Sequence, residues 1–446
     1  QREFTIRVKG AGERSFRTWE THLGPVIAMQ DGKAYAARTA YADSVGASEA
    51  WLELNKATDY RGAQRAMAML QLFPQNLMLA DTSGNIYYQR TGRVPRRPEG
   101  FDWSKPVDGS TSATEWKGFH PAEDLVQVLN PATGYMQNCN IPPDAMFPGN
   151  PLGIDRYPEY LYGDLIYGPR SGWTNQRGAR SVEILAGDTS VTAEEAIAYA
   201  LDVHPYGVER WQRTLRRADE QHGDALRSAP DYMAGLKGLL SWDGEMARDS
   251  AGALKFYYWR SQLLDEPGGE DAAAIEQSID FLLAPLGLAR DEQSVSPEQL
   301  RALAAAVAPA MRRLRSDHGS LAAVWGDKFR VGRDEMSWPV GGGSLQEVGM
   351  RTLRSVGYGP ERQGHQRWGE SGQTSTQVVV LSSPPRSWTS VTIGQSDRTG
   401  SPHYRDQAER LFSERRLKPS WWQPAELAEH IASRTVLVGA PGAPGE

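Results

Sequence analysis

Phe4, Ile6 and Val8 alternate with polar residues, the two-residue period of a half-buried strand. With Gly10-Ala11-Gly12 behind them and residues 16–21 beyond, they predict a hairpin. Residues 26–30 and 33–38 flank Asp31-Gly32, a pair that readily adopts the positive φ angles of a tight hairpin turn. Between residues 47 and 72 the apolar positions Trp51, Leu52, Leu54, Ala66, Met69 and Leu70 fall at helical spacing. A third hairpin is predicted where residues 76–81 and 86–89 close around Ser83-Gly84-Asn85. Residues 91–120 read as a long loop rich in Pro, Gly and charge, and long ordered loops in compact domains often carry function.

Residues 141–176 are rich in Gly, Pro and Tyr and have no period, which predicts a loop wrapping a site entrance. A helix is expected to open at Arg180, with Val182, Ile184 and Leu185 as its apolar contacts. Thr192 and Glu195 fit a capping box ahead of Ile197, Ala200, Leu201 and His204, and Pro205 ends or kinks that helix. The pattern stays mostly helical to residue 314. Ile275, Ile279, Leu282 and Leu283 stand at helical spacing, and Ser296-Pro297-Glu298-Gln299 is an N-cap, a first-turn proline and a capping partner. Strands are expected again at 378–381 and 388–393, then helices from Gln407 and Pro424, then a frayed tail at 440–446. This divides the chain into strands at 1–188, a helical lobe at 189–330 and a return to strands at 331–446.

Composition removes several function classes. The chain has 446 residues and a net charge of −6, so it has no basic field for nucleic acid. Arg93, Arg96 and Arg97 cluster, but with acidic residues interspersed elsewhere they read as solvated loop charge. No apolar run approaches the length of a membrane span. Cys139 is the only cysteine, so no intrachain disulfide forms, and it reads as a small hydrophobe. His204, His222 and His318 lie at no metal-ligand spacing, and there is no His-Glu-x-x-His, paired Cys-x-x-Cys or Walker loop. The 14 Trp and 17 Tyr leave open a non-catalytic saccharide- or peptidoglycan-binding protein.

The segment from Asn130 to Asn140 (NPATGYMQNCN) reads as a turn, a short buried strand and a polar tip. Two positions apart in extended chain, Asn138 and Asn140 would share a face, and Pro142-Pro143 stops the strand. A carboxamide held there is the kind of donor an amide-hydrolysing site aims at an oxyanion. Two asparagines bonding local backbone in a polar turn is the other reading.

Asn130-Pro131-x-x-Gly134-Tyr135-x-x-Asn138-x-Asn140 resembles the oxyanion-hole segment of the penicillin acylase family, the N-terminal-nucleophile (Ntn) amidases. Further segments resemble that family in the same order. They are residues 23–27 after His22, residues 76–94, Gly100-Phe101-Asp102-Trp103, residues 114–119, Gly178-Ala179-Arg180, residues 240–244 and the stretch from Gly394 to Gln407.

The resemblance implies an α+β fold, an incomplete Ntn-hydrolase α/β/β/α sandwich with a helical lobe. It implies hydrolysis of the linear amide of N-acyl compounds: acylated β-lactams, acyl-homoserine lactones or acyl-lipopeptides. The nucleophile would be a chain-terminal Ser whose α-amine, titrating near 8 when unperturbed, serves as base. Gln1 is not that residue, so the Ser and the first part of the catalytic chain are expected upstream, and this chain alone is expected to be inactive. Asn140 is the implied oxyanion donor. Arg180 is the implied cation that tunes the amine. Trp51 falls where relatives place an aromatic near the acyl pocket, with plain core packing as the alternative. Asn138 is assigned to the substrate side, chiefly shaping the turn that presents Asn140. No cofactor is required. Structural calcium is left open, with a backbone carbonyl near Trp103. The implied partner is the upstream part of a precursor, and the implied location is periplasmic or secreted.

Overall fold

A computed structural model describes residues 1–149, 151–162, 174–265, 295–345 and 348–437. The helical positions Ile275, Ile279, Leu282 and Leu283, the 440–446 tail and part of the entrance loop (150 and 163–173) lie outside the described residues. The chain forms two compact units, Gln1–Thr174 and Asn175–Glu446. The class is α+β, as expected, with strands in six sheets of two to four strands among the described residues.

In the first unit β1 (Arg2–Val8) and β2 (Gly12–Thr18) pair in register, Phe4 opposite Phe16. Their rings stack at 5.5 Å. β3 (Glu20–Thr21), β4 (Gly24–Gln30) and β5 (Lys33–Ala36) form a second antiparallel sheet. Asp31 and Gly32 turn β4 into β5 with φ of 53° and 71°, the doubly left-handed turn their identities predict. The helical stretch divides into α1 (Ala47–Lys56) and α2 (Tyr60–Met67). The break has a local cause: the Asp59 carboxylate caps α2 by accepting from Gly62 N at 2.7 Å, one of the donors a helix start leaves unpaired.

β6 (Asn76–Ala80), β7 (Ile86–Arg90) and β8 (Gln127–Leu129) form an antiparallel sheet in that order. Consecutive residues of a strand face opposite ways. Tyr87 joins Ala50, Ala63, Met67 and Leu72 on one side; Tyr88 joins Leu125, Val126, Met146, Phe147 and Leu152 on the other. The 91–120 segment is more ordered than a bare loop, because backbone bonds tie Arg96 to Gly118 and His120 to Val94 at 2.9 Å each.

Two expectations fail in this unit. After β8 no strand follows within residues 130–140. Asn130 and Asn140 are left-handed, with φ of 48° and 60°, and a left-handed residue breaks the pleat that would have put Asn138 and Asn140 on one face. Nor are the loop arginines simply solvated. Arg93 pairs with Asp43 at 2.9 Å and lies over the Phe119 ring at 4.2 Å, and Arg96 pairs with Asp124 at 3.2 Å.

The second unit is built on α3 (Gln176–Ala186), α4 (Ala193–Ala200), α5 (Val208–His222), α6 (Tyr232–Leu240), α7 (Ala251–Asp265), α8 (Pro297–Ala305) and α9 (Val307–His318). Both predicted capping boxes are present, Thr192 with Glu195 and Ser296 with Gln299. α3 begins four residues before Arg180, capped by the Asn175 side chain. Trp211 of α5 and Trp259 of α7 meet edge to face at 5.7 Å in the helical core. β9 (Phe329–Arg333) and β10 (Met336–Pro339) share a sheet with residues Val356–Glu361 and Arg367–Gly372. Strands Ser375–Val380 and Arg386–Val391 pair nearby in sequence. The helix expected from Gln407 is present and continues as a π-helix over Ala408–Phe412.

Candidate active site

The carboxamide of Asn138 is wrapped around its neighbour. Its Oδ1 accepts the backbone N–H of Asn140 at 3.0 Å, and its Nδ2 donates to the carbonyl of Ile141 at 3.0 Å. The loop is anchored on both sides: Gln137, buried, donates to Ala145 O at 3.2 Å, and Ile141 is buried. Asparagine tolerates the left-handed region better than most residues, so Asn140 holds its φ without glycine and keeps a polar side chain. That side chain is exposed. The clamp holds the main chain of Asn140 in place. The Asn138 side chain bonds local backbone on both sides of Asn140.

Trp51 lies on the outer face of α1, 41% exposed. The core side of that helix is carried by Ala50 and Leu54, so plain core packing does not describe Trp51.

His22 and residues 114–119, both in segments resembling the family, come together. His22 Nε2 lies 2.9 Å from Glu115 Oε1, and Arg38 donates to Glu115 Oε2 at 2.7 Å while lying over the Trp116 ring at 4.5 Å. The Arg38 bond, with His22 in support, outweighs partial desolvation and holds the Glu115 carboxyl below its ordinary range.

In the second unit Arg180 is not a lone cation. Its Nη2 donates to Asp202 Oδ2 at 3.0 Å, its Nε reaches Oδ1 at 3.4 Å, and its Nη1 donates to Glu183 Oε2 at 2.7 Å. Burial pulls the guanidinium pKa down, and the bonds to Asp202 and Glu183 more than offset that, leaving it raised. Asp202 is 9% exposed and also receives the backbone N–H of His204 at 3.2 Å. His204 in turn lies 2.9 Å from Glu209 and packs against Gly244 of the Trp242-Asp243-Gly244 segment. A Cβ on Gly244 would come within 2.2 Å of the imidazole. Sequence reading missed Asp202, although a carboxylate set between the apolar residues Leu201 and Val203 was a signal.

A cavity of about 360 Å³ has Ser181, Ile184, Tyr199, Leu353 and Gln373 in its wall. Among the described residues no three His, Cys, Asp or Glu side chains gather as metal ligands, and no helix is long and apolar enough to cross a membrane. At the position where calcium was left open, Asp102 is bonded to Ser104 and to Lys105 at 2.9 Å. Those bonds, Lys105 foremost, lower its pKa to about 2.

A family profile described as penicillin amidase matches residues 1–429. The chain belongs to the penicillin amidase family. Curated relatives include penicillin G acylase of Escherichia coli, 34% identical over 171 residues, covering 35% of this chain and 20% of that one. Another is penicillin acylase 2 proenzyme of Pseudomonas sp. (strain SE83), 28% identical over 269 residues, covering 58% and 31%. The chain therefore spans between a fifth and a third of the length of these relatives. Among solved structures, a thermostable penicillin G acylase from Alcaligenes faecalis superposes with a TM-score of 0.60 at 20% identity, over 99% of this chain and 82% of that one. That likeness gives this penicillin amidase-family chain the Ntn-hydrolase fold expected from its segments.

Proposed function

We propose that the protein carrying this chain hydrolyses the linear amide of N-acyl compounds, with Asn140 as oxyanion donor. The observation that carries the reading is the Asn138 clamp, which fixes the backbone of an exposed Asn140 inside a penicillin amidase-family segment. In this reading a chain-terminal Ser, upstream of Gln1, adds its hydroxyl oxygen to the substrate carbonyl while its own α-amine takes the proton. The carbonyl electron pair moves onto oxygen, where Asn140 Nδ2–H and a backbone N–H of the upstream segment donate to it. Collapse restores the carbonyl, breaks the C–N bond and releases the amine with the transferred proton. Water then repeats the sequence on the acyl-serine and frees the carboxylic acid.

Arg180 is assigned, on the family resemblance, to tune the pKa of that amine. Offset by Asp202 and Glu183, it would depress the amine pKa less than a lone guanidinium would. Trp51, exposed on α1, is assigned to the acyl side of the substrate. Gln137-Asn138-Cys139-Asn140 resembles the homoserine-lactone and lipopeptide acylases slightly more than the penicillin G acylases. An upstream partner segment is supported by the apolar faces of β1, β2 and β4, where Phe4, Phe16, Ile27 and Met29 are 43–70% exposed. A periplasmic or secreted location follows the family resemblance.

The saccharide-binding alternative rested on aromatic content, and Trp211, Trp242, Trp259 and Trp325 are core residues instead. The deciding experiment assays the full-length protein on a chromogenic N-acyl amide. Release of amine that falls about 10²–10³-fold in Asn140→Ala supports the reading. Saccharide affinity with no turnover of any acyl amide overturns it.

A further inference from the structure

Arg260 of α7 is fully buried, at 0% exposure. Its Nε donates to the carbonyl of Val348 at 3.2 Å. Both of its Nη atoms lack a hydrogen-bond partner among the described residues. Burial is the one influence acting on its pKa, and it pushes that value well down, with no described carboxylate acting against it. Other buried cations of this unit find acceptors for their outer nitrogens: Lys328 bonds Glu361 and the carbonyl of His365, and the Nη atoms of Arg354 donate to the carbonyls of Gly341 and Phe412 while its Nε has no partner among the described residues.

A guanidinium does not give up its proton in a protein interior. Its charge must therefore be compensated where it stands, because a buried charge without a partner is among the most destabilising arrangements a core can hold. Its nearest compensation is the Trp211 ring, 3.5 Å beneath the guanidinium carbon. An aromatic face offsets only part of a unit charge and accepts nothing from the edge of the guanidinium, where the Nη hydrogens point. The same indole brings a second unspent donor, because Trp211 Nε1 is also buried without a partner. The surroundings are apolar and tightly filled, with Phe256 and Trp259 packed edge to face on Trp211.

We propose that Arg260, with Trp211 Nε1–H as a further donor, holds a small monovalent anion of the halide class inside the helical core. The ion supplies the missing negative charge and takes up the guanidinium N–H groups that the protein leaves unmet. Its role is structural, tying α5, α7 and the Val348 turn together.

The test uses the full-length protein and bromide as the probe. Crystals grown in sodium bromide are expected to show an anomalous bromine peak in contact with the Arg260 Nη atoms. In solution, replacing gluconate by bromide at constant ionic strength is expected to raise Tm saturably, by about 2–4 °C. Arg260→Met is expected to lose that response. Water, or one of the protein's own carboxylates, on both Nη atoms in place of bromide would overturn the proposal. So would a halide response that Arg260→Met keeps in full. The crystallographic arm needs no variant, so a poorly folding Arg260→Met leaves the proposal decidable.

Discussion

Asn138 holds the main chain of Asn140, accepting its N–H at 3.0 Å and closing on the carbonyl of Ile141 one residue later. The two asparagines therefore have separable roles, one shaping a loop and the other presented by it. Asn140→Ala is expected to lower kcat of the full-length protein about 10²–10³-fold. Asn138→Ala removes no donor to substrate but frees the backbone that aims one, and is expected to cost about 10²-fold. Asn138→Asp keeps the acceptor for Asn140 N–H, loses the donor to Ile141, and is expected to fall between wild type and Asn138→Ala. Equal losses in Asn138→Asp and Asn138→Ala would mean that the bond to Asn140 N–H contributes nothing.

Arg180 and Asp202 form a largely enclosed pair, with side chains 21% and 11% exposed. Asp202→Asn is expected to destabilise the protein by about 2 kcal/mol, the usual weight of a hydrogen bond to a charged group, read by denaturant unfolding. Arg180→Lys keeps the charge but cannot make the forked contact. It is expected to lose nearly as much stability. If Arg180→Lys matches wild type, charge alone matters at this position.

His318 gives the unit an acid-sensitive contact. It meets Tyr258 Oη at 3.0 Å and is faced by Lys328, Asp317, Asp327 and His365. Burial, then the Lys328 charge, lower its pKa below the ordinary 6.5 despite the two aspartates. A depressed pKa means that the fold favours neutral imidazole. The associated stability is present above pH 6.5 and is lost as pH falls through the folded value. Tm is expected to drop between pH 7 and 5, and His318→Gln to flatten that slope. A variant slope as steep as wild type would assign the drop to other groups.

Gly244 and Gly32 separate two reasons for keeping glycine. Both have positive φ, 84° and 71°, but a Cβ at Gly32 meets nothing within 4 Å while one at Gly244 strikes His204. Gly32→Ala is expected to cost about 1 kcal/mol, the backbone penalty alone. Gly244→Ala is expected to cost at least about 2 kcal/mol more, through overpacking. Comparable unfolding midpoints for the two variants would show that the His204 ring moves aside freely.

The features legible in the sequence were those written in a few consecutive residues. The Asp31-Gly32 turn and both capping boxes depend on neighbours within four positions, and all three formed. The break between α1 and α2 was local too, but the Asp59 cap was hidden inside a longer apolar rhythm. The partnership of Arg180 with Asp202 spans a turn and a helix, and that of His22 with Glu115 joins residues 93 apart in sequence. Periodicity carries no information about such pairs. The 130–140 strand was misread because its apolar Tyr135 and Met136 outweighed two asparagines able to turn the chain left-handed.

Tyr87 and Tyr88 point to opposite sides of one short strand, so each side of the sheet checks the other. A slip of β7 by one residue would turn each ring away from the cluster it now packs in. Asn130 sits at the exit of β8 and ties itself to the same strand, accepting Ile86 N–H at 2.9 Å. The loop that carries Asn140 thus departs from a point held to β7 both by the sheet register and by the Asn130 side chain.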